Sequence, residues 1–293
     1  MARRRSDVII GVILIVAVGF ILWWAIAMFR VPESGRMTYR GSGDVAVLHI
    51  RGMIVEPADF IERLERFIDR EDVRAIVLRI ESPGGVVAAS QEMYEAVKRA
   101  RDSEKPVVTS MGSIAASGGY YVALGSDSIL ANPGTLTGSI GVLMDFPEIT
   151  KLLESIGVEY HSVTSGPLKN AGAPYEQWDE QTREYYKSIV MDSYEQFVSV
   201  VAQERRLSVD SVRTLADGRV YTGNQAANHG LIDGLGDLHE AIQLAASMAG
   251  ITDEPTVIKP VEREIRLWDV LFGDIEELVN RIPRTPQLEY RYP

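Results

Sequence analysis

Apolar positions recur along this chain with two different spacings. Val45–Arg51 alternates and is β-branched, and Ala75–Ile80 is a second apolar run; both predict strands. Between them, Ala58–Arg70 places Phe60, Leu64, Phe67 and Ile68 on one face, which predicts an amphipathic helix. The second strand stops at Ser82-Pro-Gly-Gly85, and a helix follows to about Arg101 with Met93 and Val97 inward. Val107–Met111 predicts a third strand, and Tyr120–Leu124 the start of a helix. Short apolar stretches follow at Ser128–Ala131 and Ile140–Leu143. Ile149, Leu152, Leu153 and Ile156 predict a helix over Glu148–Ile156, and Val158–Val163 a strand. Asp179 caps a long helix reaching about Arg206, and Asp237 with Glu240 resembles a capping box for a helix ending at Gly250. Strand–helix alternation of this kind argues for an α/β domain with a largely parallel sheet. The residues after Ile251 are amphipathic, then Pro-rich, and read as a peripheral tail (251–293).

Ahead of that domain the pattern changes. A basic tail, residues 1–7, precedes Val8–Phe29, 22 residues without a charge that end in Trp23, Trp24 and Phe29. At about 1.5 Å per residue this crosses a hydrocarbon core of roughly 30 Å, so it reads as a transmembrane helix. Ala25-Ile-Ala27 resembles a signal-peptide cleavage site, but such apolar regions run only about 7–15 residues. Arg3, Arg4 and Arg5 precede the span and Arg30, Arg36 and Arg40 follow it, so the charge rule for orientation is close to a tie. Residues 30–43 read as a linker, and the folded domain begins near Asp44.

Composition narrows the chemistry. A net charge of −11 argues against nucleic acid, which needs basic surface. The absence of cysteine excludes disulfides, thiolate ligands and a cysteine nucleophile. Four histidines (His49, His161, His229, His239) stand far apart without HxxxH spacing, so neither a metal site nor a cofactor is expected.

Two charge-poor segments stand out. Ser117 lies in Met111-Gly-Ser-Ile-Ala-Ala-Ser-Gly-Gly-Tyr-Tyr121, and from Pro106 to Met144 the only charge is Asp127. Tyr160–Tyr175 carries one charge, Lys169. A serine hydroxyl needs a base within reach to act as a nucleophile. A lysine serves once its amine is neutral; moving it from about 10.4 to near 7 takes roughly 4–5 kcal/mol, which burial can supply. Gly118, at a loop-to-helix junction, can offer an N–H to an oxyanion, and Gly84 and Gly85 can offer another. Ser139, in Thr137-Gly-Ser-Ile-Gly141, is a third hydroxyl in neutral surroundings that could hold the lysine amine. Each element also has an ordinary reading: a Gly/Ser turn, a solvated lysine, a backbone-bonded buried hydroxyl, and an Asp127 that caps a turn.

Together these motifs, with Ala216-Asp-Gly-Arg-Val-Tyr-Thr-Gly223 and Gly230-Leu-Ile-Asp233, resemble the signal peptide peptidase A family, the S49 or protease IV serine peptidases, over about Asp44–Gly250. The resemblance implies a ClpP/crotonase-like α/β fold and a Ser/Lys dyad. Ser117 would be the nucleophile, Lys169, 52 residues later, the general base, and Ser139 its orienting hydroxyl. Gly118 and a glycine of Pro-Gly-Gly would be the oxyanion donors. It implies a short, single-repeat, membrane-anchored form, assembled as a homo-oligomeric ring facing away from the cytoplasm and degrading signal peptide remnants. Where relatives often carry an aromatic before this lysine and an aspartate after it, this chain has Leu168 and Asn170. A crotonase-type acyl-CoA enzyme would need neither Ser117 nor Lys169, and a silent scaffold would have no use for either.

Overall fold

The computed structural model describes residues 38–39, 42–258, 260–261 and 289–291. The predicted membrane span, the basic tail and most of the linker lie outside them; among the described residues no helix is long and apolar enough to cross a membrane. The order begins β1 (Thr38–Tyr39), β2 (Val45–Arg51), α1 (Ala58–Ile68), β3 (Ala75–Ser82), β4 (Gly84–Val86) and α2 (Val87–Asp102). It continues β5 (Val107–Ala116), α3 (Gly118–Ala123), β6 (Ser128–Ala131), β7 (Leu136–Gly138) and α4 (Thr150–Ser155). Next come α5 (Glu180–Arg205), α6 (Val209–Leu215), β8 (Val220–Thr222), α7 (Gly223–Asn228), β9 (Gly234–Leu235) and α8 (Leu238–Met248). The last elements are β10 (Val257–Ile258), β11 (Pro260–Val261) and β12 (Glu289–Arg291).

The main sheet runs β10-β2-β3-β5-β6-β9, each neighbour parallel to the next. Beyond the end of β6, β7 takes its place beside β5, and β8 pairs antiparallel with β7. Strands of a parallel sheet are covered on both faces, which is why β2, β3 and β5 begin as near-continuous apolar runs. On one face Leu48, Ile50, Leu78 and Ile80 pack with Leu64 of α1, Met93 and Val97 of α2, and Phe197 and Val201 of α5. On the other, Val45, Val47, Val77 and Val108 meet Ala241, Ile242 and Ala245 of α8. Further along that second face the alternation continues into His49, Arg79 and Glu81. There Arg79 donates to Ser110 Oγ at 2.9 Å and pairs with Glu81 at 3.0 Å. Burial, with the guanidiniums of Arg51 and Arg79 adding to it, pushes His49 down to about 4.

Helix ends follow the predicted chemistry. The Asp179 carboxylate accepts from Thr182 N at the start of α5, and Asp237 and Glu240 form a reciprocal capping box on α8. His229 is the C-cap of α7. Asp127, expected to cap a turn, instead ties two distant segments: its carboxylate accepts from Val107 N at the start of β5.

Three expectations are corrected. Val158–Val163 forms no strand: these residues are exposed, and no described strand lies beside them to complete their hydrogen bonds. The predicted Glu148–Ile156 helix contracts to α4, which buries no residue. The residues after Ile251 are not all peripheral. Val257–Ile258 extends the sheet beside β2, and Tyr290 is completely buried where β12 pairs with β4.

Candidate active site

β5 delivers Ser117. Its last residues are clamped from both sides, Ala115 by Ser82 of β3 and Ala116 by Gly138 of β7. Ser117 N donates to Gly138 O at 2.7 Å, and Ser117 O accepts from Tyr121 N at 2.8 Å, so Ser117 caps α3. Its φ of +53° is unusual for a residue with a Cβ and costs about 1–2 kcal/mol. The hydroxyl is buried and has no hydrogen-bond partner. Strain and an orphaned polar atom coincide on the predicted nucleophile, a coincidence typical of functional positions.

The donors converge beside it. Gly118 opens α3, so its N–H has no acceptor within the helix. In β4, Ile54 takes Gly84 O and Val86 N, both at 2.8 Å. Ser82 Oγ accepts from Gly84 N at 3.1 Å, so that N–H is already used. Alternation along the strand turns the Gly85 N–H and C=O away from Ile54. A methyl group on Gly118 would lie 3.1 Å from Gly85 N, and one on Gly84 only 2.7 Å from Gly118 N. With φ of +107° at Gly84, only glycine fits this approach. Of the two Pro-Gly-Gly residues proposed as donors, Gly85 is the one whose N–H is not taken up inside its own loop; it faces β12, where Tyr290 stands opposite.

Ser139 follows β7 directly and is buried, with φ of +51°. Its N–H donates to Arg219 O at 2.9 Å, and Gly218 N donates to Ile140 O at 3.1 Å. Thus the Ala216–Gly223 motif is the turn and strand that hold Ser139 beside the Ser117 loop. The Gly230–Asp233 motif supports α3 from below. Leu231 O accepts from the Tyr120 hydroxyl at 2.8 Å, and the Asp233 carboxylate takes Ile129 N at 2.7 Å and the Arg205 guanidinium.

Lys169 is the exception. Its N–H closes a turn to Gly166 O at 3.1 Å, but its side chain is exposed and makes no hydrogen bond or ion pair with Ser117 or Ser139. The segment bearing it is fastened by Phe146 against Trp178 and Tyr186. Beyond that anchor Leu152, Ile156, Val158, Tyr160 and Val163 are exposed. A single chain therefore assembles Ser117, Gly118, Gly84, Gly85 and Ser139, and leaves Lys169 apart.

Sequence reasoning missed an aromatic cluster next to these glycines. Tyr290 stacks on Tyr121 with centroids 5.2 Å apart and contacts Phe197 at 4.6 Å, while Tyr94 meets Tyr121 edge-on at 5.3 Å. Burial pushes the Tyr121 phenol up to about 12 and holds Tyr94 and Tyr290 well above the ordinary range, so all three stay neutral at physiological pH. The only hint in the sequence is the aromatic alternation Glu289-Tyr-Arg-Tyr292. Among the described residues no group of histidine and carboxylate side chains could hold a metal.

The sequence profile of Peptidase family S49 matches residues 99–252. A protein of Synechocystis sp. that bears a protease name is 40% identical over 195 residues, 67% of this chain and 70% of its own. Signal peptide peptidase SppA of Enterococcus faecium is 35% identical over 199 residues, 68% of this chain and 58% of its own. The chloroplastic serine protease SPPA of Arabidopsis thaliana is 33% identical over 225 residues, 76% of this chain and 33% of its own. With Ser117 and its glycines in place, the chain belongs to peptidase family S49, the signal peptide peptidase family, and is a serine peptidase.

Proposed function

We propose that this chain is a membrane-anchored endopeptidase that cleaves signal peptide remnants and other unfolded apolar peptides through an acyl-enzyme on Ser117. One observation carries the reading: the Ser117 hydroxyl is buried, strained and unpartnered beside the closely approaching backbones of Gly118 and the Pro-Gly-Gly loop. In this reading the missing partner is Lys169 of a second copy. The exposed apolar arm around Leu152, Ile156 and Val163 docks on that neighbour, and burial in the contact makes the amine neutral. Repetition of such a head-to-tail contact closes a ring.

Chemistry then follows from the groups present. Ser117 Oγ attacks the peptide carbonyl as its proton passes to Lys169 Nζ. The oxyanion is received by the N–H groups of Gly118 and Gly85. Nζ returns the proton to the departing amine, which leaves an ester on Ser117. Water then attacks the ester, Nζ takes its proton, and Ser117 is restored. Ser139, fixed by Arg219 O, orients Nζ. The strand–helix layers support a ClpP/crotonase-like fold, and Val8–Phe29 would hold the peptidase domain at the extracytoplasmic face of the cell membrane.

A serine-directed phosphonate probe followed by peptide mapping tests the assignment. Labelling at Ser117, abolished by Ser117→Ala, is the expected result. Turnover that persists in Ser117→Ala would refute the nucleophile.

A further inference from the structure

Gly112 opens the Ser117 motif, yet neither the nucleophile nor its donors call for it. Its φ is not positive, so its conformation does not require glycine either. What excludes a side chain there is Glu81. A methyl on Gly112 would lie 1.7 Å from Glu81 Oε1 and 2.0 Å from its Cδ, so the carboxylate rests on the Gly112 backbone.

The place matters because β5 is irregular there. Ile80 of β3 pairs with Met111 but Ser82 pairs with Ala115, so two steps along β3 match four along β5. Gly112, Ser113 and Ile114 stand where a regular strand would hold one residue. Such a bulge takes backbone groups out of the ladder, and here side chains meet them. Glu81 Oε2 accepts from Ser113 N at 2.9 Å, Thr135 Oγ1 donates to Gly112 O at 2.6 Å, and Arg79 donates to Met111 O at 3.3 Å. Arg79 also donates to Glu81 Oε1 at 3.0 Å and to Ser110 Oγ at 2.9 Å. A slip of two residues would keep every side chain of β5 on its own face, so the apolar pattern does not by itself forbid a regular strand. In that register Ser113 would stand opposite Ser82, and Ser117 would be carried about 6–7 Å along the sheet.

We propose that Glu81, held by Arg79, is a positioning residue for the nucleophile: its carboxylate fills the space left by Gly112 and fixes the bulge that sets Ser117 beside Gly118 and the Pro-Gly-Gly loop. This rests on Ser117 as the nucleophile and adds a residue that acts on it through β5.

The test uses the full-length chain in detergent micelles. Its readouts are hydrolysis of a fluorogenic peptide, the rate of phosphonate labelling at Ser117, and thermal melts. Glu81→Ala should lower kcat and the labelling rate together by about tenfold to a hundredfold with KM within about twofold of wild type, because a misplacement on the order of 1 Å suffices for such a loss. Glu81→Gln keeps an oxygen for Ser113 N and loses only the charge, so it should stay within about fivefold of wild type. Gly112→Ala pushes the carboxylate aside. The group it strikes is the end of a flexible side chain, so the chain should fold, and kcat should fall as in Glu81→Ala. Added to Glu81→Ala, Gly112→Ala should cost less than about twofold more, since the carboxylate it strikes is gone. A folded Glu81→Ala chain with near wild-type kcat would overturn the proposal, as would losses at the two sites that simply multiply. So would loss of a cooperative melt in Glu81→Ala and Glu81→Gln alike, since the pair would then hold up the sheet as a whole. Coupled losses of turnover in a chain never labelled at Ser117 would keep Glu81 in its role and overturn only the nucleophile.

Discussion

Gly118→Ala separates stability from catalysis at the centre of the site. The new methyl would fall 2.5 Å from Ser90 Oγ, 3.1 Å from Gly85 N and 3.2 Å from Gly84 Cα. Ser90 donates to Val86 O at 2.9 Å, and turning its hydroxyl away to relieve the clash sacrifices that bond. The loss is about 1–2 kcal/mol, offset by up to about 1 kcal/mol from alanine's better helix propensity. The net destabilisation is therefore at most about 2 kcal/mol, a melting shift of only a few degrees in a domain of this size. Activity behaves differently, because the methyl stands between the two donors. Losing one oxyanion donor costs about 10²–10³ in kcat, and obstructing both costs at least as much. The double variant Ser90→Ala/Gly118→Ala removes the closest contact, so its melt should recover while its hydrolysis of a fluorogenic peptide does not. A folded Gly118→Ala enzyme hydrolysing at near the wild-type rate would refute the assignment of this cradle.

Three further outcomes follow. Ser117→Gly releases a φ of +53° and removes an orphaned hydroxyl, so it should melt above wild type by about 1 kcal/mol while losing peptidase activity; a lower melt would show that the strain reading is wrong. Arg205→Ala breaks a pair held at 2.8 Å to Asp233 and a bond to Gly230 O at 2.9 Å, with only 12% of the arginine side chain exposed. It should cost about 3 kcal/mol, roughly 6–12 °C by calorimetry, and a shift under about 2 °C would contradict the supporting role given to the Gly230–Asp233 motif. His49 is neutral in the folded protein down to about 4 against an ordinary 6.5, so the unfolded chain binds more protons between those values. Stability therefore falls as pH drops from about 6.5 toward 4, by about 1 kcal/mol once partial exposure is discounted. His49→Gln should flatten that part of the urea-midpoint profile, and an unchanged slope would remove His49 as its source.

How far the molecule was legible from its residues depended on where each residue finds its partner. β2, β3 and β5 were readable from their first residues, which are covered on both faces and so must be apolar there. The caps Asp179 and Asp237 were readable because their partners lie three residues away. Ser117, Gly118, Gly84 and Gly85 stood out because tight backbone approach demands glycine. Val158–Val163 misled because β-branched residues signal a strand only where a neighbour pairs with them, and on this chain they are exposed. Lys169 was singled out by its neutral surroundings, but its spacing from Ser117 carries no information on which copy it would serve. Tyr290 was illegible for a related reason: its partners Tyr121 and Phe197 are distant in sequence, and nothing in a Pro-rich tail marks one tyrosine as buried.

The proposal that Ser117 and Lys169 act on one another across copies is tested most directly by mixing Ser117→Ala and Lys169→Ala chains and co-assembling them. Each variant alone should be inactive. Random co-assembly should restore about a quarter of wild-type hydrolysis, because one site in four then pairs an intact serine with an intact lysine. A co-assembled mixture that stays as inactive as its components, or a Lys169→Ala chain that hydrolyses peptide unaided, would contradict the shared dyad.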